Sequence, residues 1–176
     1  MIAALDSGNL LTQVEFHNAI ARKSGTWYSA CLRITRNPEL AEDAVQDGLL
    51  RAWDKRNQFH RESSLETWIH RIAVNSALYL LRKQRPGAFE PLDIDIADDG
   101  NAPEQSRAQH DLGDQLATAL KYLSDFERVC FVLKHLEEWK LDEIAAELGT
   151  NISAVKQALF RGVKKLRVSM ADLQDR

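Results

Sequence analysis

Lys156, Gln157, Arg161, Lys164, Lys165 and Arg167 recur at helical spacing along one side of residues 152–167, opposite Ile152, Val155, Leu159, Val163 and Leu166. From 151 to 167 there are five cationic residues and no acid, in a chain of 176 residues whose formal net charge is −3. Lys and Arg neutralise phosphates, and Gln and Arg hydrogen-bond the edges of bases, so a helix carrying both kinds suits the major groove of DNA. Lys156 and Arg161, near the middle of the segment and opposite its apolar side, are the expected base readers. Lys164, Lys165 and Arg167, a turn or more later, are expected to meet the backbone.

Such a helix needs an element to hold it. Residues 141–148 supply one, with Leu141, Ile144, Ala145 and Leu148 on a single stripe. Gly149 stands where a helix end favours positive φ, and Asn151 is placed to cap the basic helix. Two short helices around a glycine-containing turn describe a helix-turn-helix. Taken alone, the segment also fits an amphipathic hairpin with a solvated basic face.

Residues 1–86 read as almost wholly helical, with a helix over 10–22, a second over 26–36, and a break at Asn37-Pro38. The next helix, 39–56, is expected to bury Leu40, Ala44, Leu49, Ala52 and Trp53. Its other edge shows Asp43, Gln46, Asp47 and Leu50. A polar loop, 57–64, precedes a helix whose start is marked by a Ser63/Glu66 capping pattern. That helix is expected to bury Leu65, Trp68, Ile69, Ile72, Ala73 and Leu80. Its cations, Arg71, Arg82, Lys83 and Arg85, have no acid among residues 67–89. With Phe59 and His60 expected to be exposed beside them, they suit a nucleic-acid surface.

Between 87 and 110 the pattern changes. Gly87, Pro91, Gly100 and Pro103 break helices, and Glu90, Asp93, Asp95, Asp98, Asp99 and Glu104 make the stretch acidic. It reads as a flexible linker. A second helical unit, 111–176, opens with Ser124 and Glu127 in another capping box, and Val129, Leu133 and Leu136 continue its buried stripe. The fold class is therefore all-α: two small helical domains, 1–86 and 111–176, joined by an acidic linker, the second containing the helix-turn-helix.

Several classes fall away. No run of eighteen apolar residues is present to span a membrane, and 13 opening residues without a basic-then-apolar pattern suggest no secretory signal, so a cytoplasmic location is expected. Cys31 and Cys130 lack metal-type spacing and read as small core residues. The five histidines show no ligand spacing, and no nucleophile triad or phosphate loop occurs, so neither an enzyme nor a metal, cofactor or small-molecule substrate is expected.

Four strings carry a resemblance: AEDAVQDGLLRAW (41–53), WIHRIAVN (68–75), LSDFERVCFVL (123–133) and DEIAAELG (142–149). In order and spacing the chain, from about 14 to 166, resembles bacterial RNA polymerase sigma factors of the extracytoplasmic-function group. The resemblance implies that Asp43, Gln46, Asp47 and Leu50 dock on the clamp helices of core RNA polymerase, with the second domain at the flap. It implies that the loop with Phe59, His60 and Arg61, together with Arg71 and Asn75, handles the minus-ten element and captures a flipped base. It places Lys156, Gln157, Phe160 and Arg161 at base-contacting positions for the minus-thirty-five element, and the linker near the polymerase active site. Promoter DNA and an anti-sigma factor, in that group often membrane-bound, are the implied partners. Other positions depart from the family pattern. Tyr79 replaces an acid, Lys140 a capping Ser (a loss of about 1 kcal/mol), Arg61 a Gly, and Ala158 a frequent Arg. A two-domain helix-turn-helix regulator acting without polymerase is the alternative.

Overall fold

The computed structural model describes residues 11–91 and 112–174. Every regular element among them is helical. The chain divides after Arg85 into two compact units, Met1–Arg85 and Pro86–Arg176.

The first unit holds α1 (Gln13–Thr35), α2 (Pro38–Asp54) and α3 (Leu65–Gln84), each packed on the other two. The Thr12 hydroxyl accepts the Glu15 N–H at 3.2 Å while Glu15 Oε2 accepts the Thr12 N–H at 2.9 Å, a complete capping box. α1 then runs unbroken, where two helices were expected. Gly25 meets nothing within 4 Å and is carried by the helical residues on either side, its carbonyl also accepting the Ser29 hydroxyl. α1 ends at Arg36, whose φ of 52° is left-handed, and the Asn37 side chain accepts the Glu39 and Leu40 N–H groups to start α2 with Pro38 in its first turn.

The innermost line of α2 is Ala41, Ala44, Gly48 and Ala52, and that of α3 is Ile69, Ala73, Ala77 and Leu81. Leu40, Leu49 and Trp53, expected at the centre of this core, are only half-buried. The reason is a close crossing. A Cβ placed on Gly48 would lie 2.8 Å from Ala73 Cα, so the large side chains flank the seam instead of filling it. Trp53 packs edgewise on Phe16 with ring centroids 5.2 Å apart, closing the seam from α1. The start of α3 is capped by Ser64, which accepts the Thr67 N–H at 3.1 Å. The Ser63/Glu66 box does not form: with Ser64 as the cap Glu66 is the second helical residue, and its carboxylate pairs with Arg22 of α1.

In the second unit α4 (Leu112–Ala119) leads through a 3₁₀ turn to α5 (Asp125–Phe131), which widens into a π turn over Val132–Leu136. α6 (Leu141–Leu148) and α7 (Ile152–Gln174) follow, and α7 packs against α4, α5 and α6. The Ser124/Glu127 box is present, with the Glu127 N–H donating to Ser124 Oγ at 3.2 Å. Val129, Cys130, Leu133 and Trp139 form the centre. Burial pushes the Cys130 thiol up to about 12, and Cys31 is equally enclosed in the first unit.

Of the acidic stretch read as a linker, residues 92–110 lie outside the described residues, as does Asp111. Its first residues are folded. The Glu90 N–H donates to Gly87 O at 3.0 Å, and Phe89 is buried. No helix among the described residues is long and apolar enough to cross a membrane.

Two glycine substitutions separate packing from backbone freedom. Gly48→Ala is expected to cost about 1–3 kcal/mol by forcing α2 from α3. Gly25→Ala, in open space within a helix, is expected to stabilise by about 0.5–1 kcal/mol. Chemical denaturation midpoints check both, and should move in opposite directions.

Candidate nucleic-acid and docking surfaces

In the second unit Gly149 turns the chain at φ 67°, and the Thr150 N–H reaches back to Ala145 O at 2.9 Å. Asn151 Oδ1 then accepts the Ala154 N–H at 2.8 Å and starts α7. Lys140, in the place of a capping hydroxyl, has no acceptor to offer the helix. Half of the box survives, since Glu143 Oε2 accepts the Lys140 N–H at 2.9 Å.

α7 buries Val155, Ala158, Gly162 and Leu166. Ala158, where the family often has Arg, is fully enclosed and belongs to the core. Ile152, expected inside, is 40% exposed. The outward line is Ser153, Lys156, Gln157, Phe160, Lys164 and Arg167, and Phe160 at its centre is 73% exposed.

Arg161 is not on that line. It was expected opposite the apolar face, and instead lies on the flank turned to α5, where its Nε stands 3.4 Å from Glu127 Oε1. Lys165, one turn on, donates to Glu127 Oε2 at 2.9 Å. The same oxygen accepts the Ser124 N–H at 3.1 Å. The Glu127 side chain is 5% exposed, and a buried carboxylate needs such cations to be stable. The capping box was legible in the sequence, whereas its second task joins residues 34 and 38 positions apart and leaves no local signal.

The first unit gathers the other expected residues. His60 and Arg61 are exposed, but Phe59 is not. At 5% exposure its ring packs on Trp68, centroids 5.2 Å apart, so it belongs to the core and is not a free stacking face. Arg61 has φ 56°, which explains why glycine suits this position. Its guanidinium lies 5.8 Å from the Phe59 ring centre and pairs with Glu15 Oε1 at 3.1 Å. The Glu15 carboxyl is held below its ordinary value, chiefly by the Thr12 N–H and hydroxyl and then by Arg61.

On α3, Asn75 is half-buried, and its Oδ1 accepts no hydrogen bond from another described residue. Arg71 is half-buried and already engaged. On α2, Asp43, Gln46 and Leu50 are exposed. Asp47 is half-buried and pairs with Arg51 one turn on, at 2.8 Å. The Arg51 guanidinium in turn sits over Tyr79, 5.6 Å from the ring centre. Tyr79, in the place of an acid, thus still holds a cation, with a ring face in place of a carboxylate.

Comparison with known proteins gives two family matches. The model described as Sigma-70 region 2 matches residues 20–86, and Sigma-70, region 4 matches 113–166. The chain is 30% identical over 158 residues to the ECF RNA polymerase sigma factor SigW of Bacillus subtilis, covering 83% of each. It is 32% identical over 171 residues to the ECF RNA polymerase sigma factor SigG of Mycobacterium tuberculosis, covering 83% of this chain and 46% of that protein. Among solved structures, RpoE of Bartonella quintana in complex with the anti-sigma factor NepR has the same fold, at 24% identity and TM-score 0.56, over 89% of this chain and 97% of that one. CnrH in complex with the cytosolic domain of CnrY follows at 22% and 0.51, over 93% and 90%.

Two measurements check these placements. Phe59→Ala is expected to destabilise the first unit by about 3–5 kcal/mol, as loss of a core ring does, seen as a lower unfolding midpoint in the absence of DNA. A carboxyl whose folded pKa is depressed contributes stability above its unfolded value, and loses it as pH falls through the folded one. The Glu15–Arg61 pair should therefore still be intact at the ordinary value of 4.5 and open only as pH falls through the depressed value beneath it. Amide shifts of 60–62 are expected to titrate there by NMR, and to stop doing so in Glu15→Gln.

Proposed function

Since the chain belongs to the extracytoplasmic-function sigma factors of the sigma-70 family, which direct RNA polymerase to promoters and catalyse no reaction themselves, we propose how its surfaces divide that work. Region 2, residues 1–86, docks on core polymerase and opens the minus-ten element. Region 4, residues 111–176, reads the minus-thirty-five element, and the acidic stretch 87–110 connects them. The observation that carries this reading is the outward line of α7. Lys156, Gln157, Phe160 and Lys164 stand free on the second helix of a helix-turn-helix, at the side a major groove would meet. Gln157 can pair with adenine, and an exposed Phe can cover a thymine methyl.

In region 2 the docking edge is Asp43, Gln46 and Leu50, with Asp47 behind them. An exposed Leu50 between acidic and amide side chains, 67% open to solvent, suits a basic partner with an apolar patch. The clamp helices of the large polymerase subunit are the proposed partner, with the flap receiving region 4. His60, Arg61 and Asn75 are the proposed contacts to the opened strand, supported by the exposure of the first two and the unused acceptor of the third. Arg71 flanks them. Phe59 acts from inside, by holding the loop on Trp68. An anti-sigma factor, soluble or membrane-bound, completes the reading as inhibitor. It is supported by two solved relatives, RpoE in complex with the anti-sigma factor NepR and CnrH in complex with the cytosolic domain of CnrY.

Reconstitution with core polymerase and mapping of the transcripts it starts tests the whole reading. Within it, Asp43→Lys and Leu50→Ala are expected to weaken core binding at least tenfold in a competition assay. Stability should move by no more than about 0.5 kcal/mol, because both side chains are exposed. Unchanged affinity for core would remove the docking edge from this face.

A further inference from the structure

Five cations line residues 151–167, yet they do not share one environment. Lys156, Lys164 and Arg167 are exposed. Arg161 and Lys165 converge on one carboxylate that is itself almost wholly buried, at 3.4 and 2.9 Å. Glu127 cannot turn away to solvent, because its Oε2 is also fixed by the Ser124 N–H at the start of α5. Between the two cations in sequence lies Gly162, where a Cβ would make ordinary contact with Glu127 O, Glu127 Cβ and Leu123 Cδ1, each at 3.8 Å. α7 is thus pinned by an ion pair on each side of a glycine contact. The pair holds the flank of α7 that carries Arg161 and Lys165 against α5, while Val155, Ala158 and Leu166 face the core.

We infer that Glu127 is a positioning residue for promoter recognition: it withdraws Arg161 and Lys165 from the DNA-facing side of α7 and so leaves base reading to Lys156, Gln157 and Phe160. The inference rests on the assignment of α7 as the minus-thirty-five reader. A cation held on a buried carboxylate of α5 is kept from pairing with a phosphate, and contributes little to the attraction that makes binding independent of sequence. Two cations so held lower non-specific affinity without touching the contacts that discriminate between bases. Specificity is a difference of affinities, and removing a general attraction widens it as surely as adding a particular one.

The test uses polymerase reconstituted with the full chain, a promoter fragment selected from a randomised pool, and an unselected duplex of equal length, with affinity measured as a function of KCl. Glu127→Gln keeps the cap, since Gln also accepts at this position of a capping box, and removes the charge. Each cation it frees for a phosphate should steepen the dependence of log affinity on log salt by about 0.9. The expected result is a slope steeper by about one to two, with a narrower gap between selected and unselected DNA. Arg161→Met or Lys165→Met in the otherwise unaltered chain should leave the slope where it was, and in the Glu127→Gln background should take back about one unit each. A slope unmoved by Glu127→Gln overturns the inference. So does a slope flattened by about one unit in Arg161→Met alone, a result that stands even if the Gln variant fails to fold. Lys164→Ala serves as the control on the underlying assignment: if it leaves the slope unaltered, α7 is not the reader, whatever Glu127 does.

Discussion

At the crossing of α2 and α3 there is room for a hydrogen atom at position 48 and for nothing larger, because Ala73 Cα lies 2.8 Å from where a Cβ would be. The first unit is arranged around that contact. With the two helices drawn together along Ala41, Ala44, Gly48 and Ala52, their larger residues are turned to the flanks. One flank of α2 presents Asp43, Gln46 and Leu50 to solvent. The neighbouring flank of α3 carries Asn75 and Tyr79. Arg51, paired with Asp47 and lying over Tyr79, spans from one flank to the other. The proposed docking edge and the proposed strand-reading edge are therefore carried by one pair of helices, held together by backbone contact.

The second unit reaches the same end by charge. A buried carboxylate costs several kcal/mol unless cations and donors surround it. Glu127 has both, from its own helix start and from α7. Such a pair adds little net stability compared with an apolar contact, but it tolerates few alternative geometries. Its use here is consistent with an element whose orientation matters more than its strength.

Much of this was legible beforehand, and where reading failed the reason is physical. Caps read well: Ser124 and Asn151 each start a helix, because a short polar side chain before an apolar period leaves few other options. Gly149 read equally well as a helix end. Gly25 misled, since glycine weakens a helix without being obliged to end one. The box pattern favoured Ser63, with Glu66 three residues on, but the helix starts one residue later, at Ser64, which Thr67 meets with its N–H and hydroxyl. Phe59 looked like a free stacking ring because a polar loop surrounds it in sequence, while Trp68, nine positions on, covers it in space. Periodicity expected Lys156, Gln157 and Lys164 on the outward side of α7, and they are exposed there. It was wrong for Arg161 and Lys165, whose partner belongs to another helix. Periodicity marks an apolar stripe well, but a buried acid behind two cations looks from sequence like an ordinary surface charge.

Each unit also encloses a single cysteine, Cys31 in the first and Cys130 in the second. Thiols react as thiolates, and with burial holding Cys130 near 12 almost none of that form exists at neutral pH. Cys31 is shut in as fully, its Sγ 3.6 Å from Ala73 O. Oxidants and alkylating reagents therefore meet inert sulfur while the fold is closed, and a reactive one as soon as it opens. The chain carries, in effect, one chemical tell-tale per unit. The rate at which each sulfur is labelled reports how often its own helices come apart, without any probe having to be added.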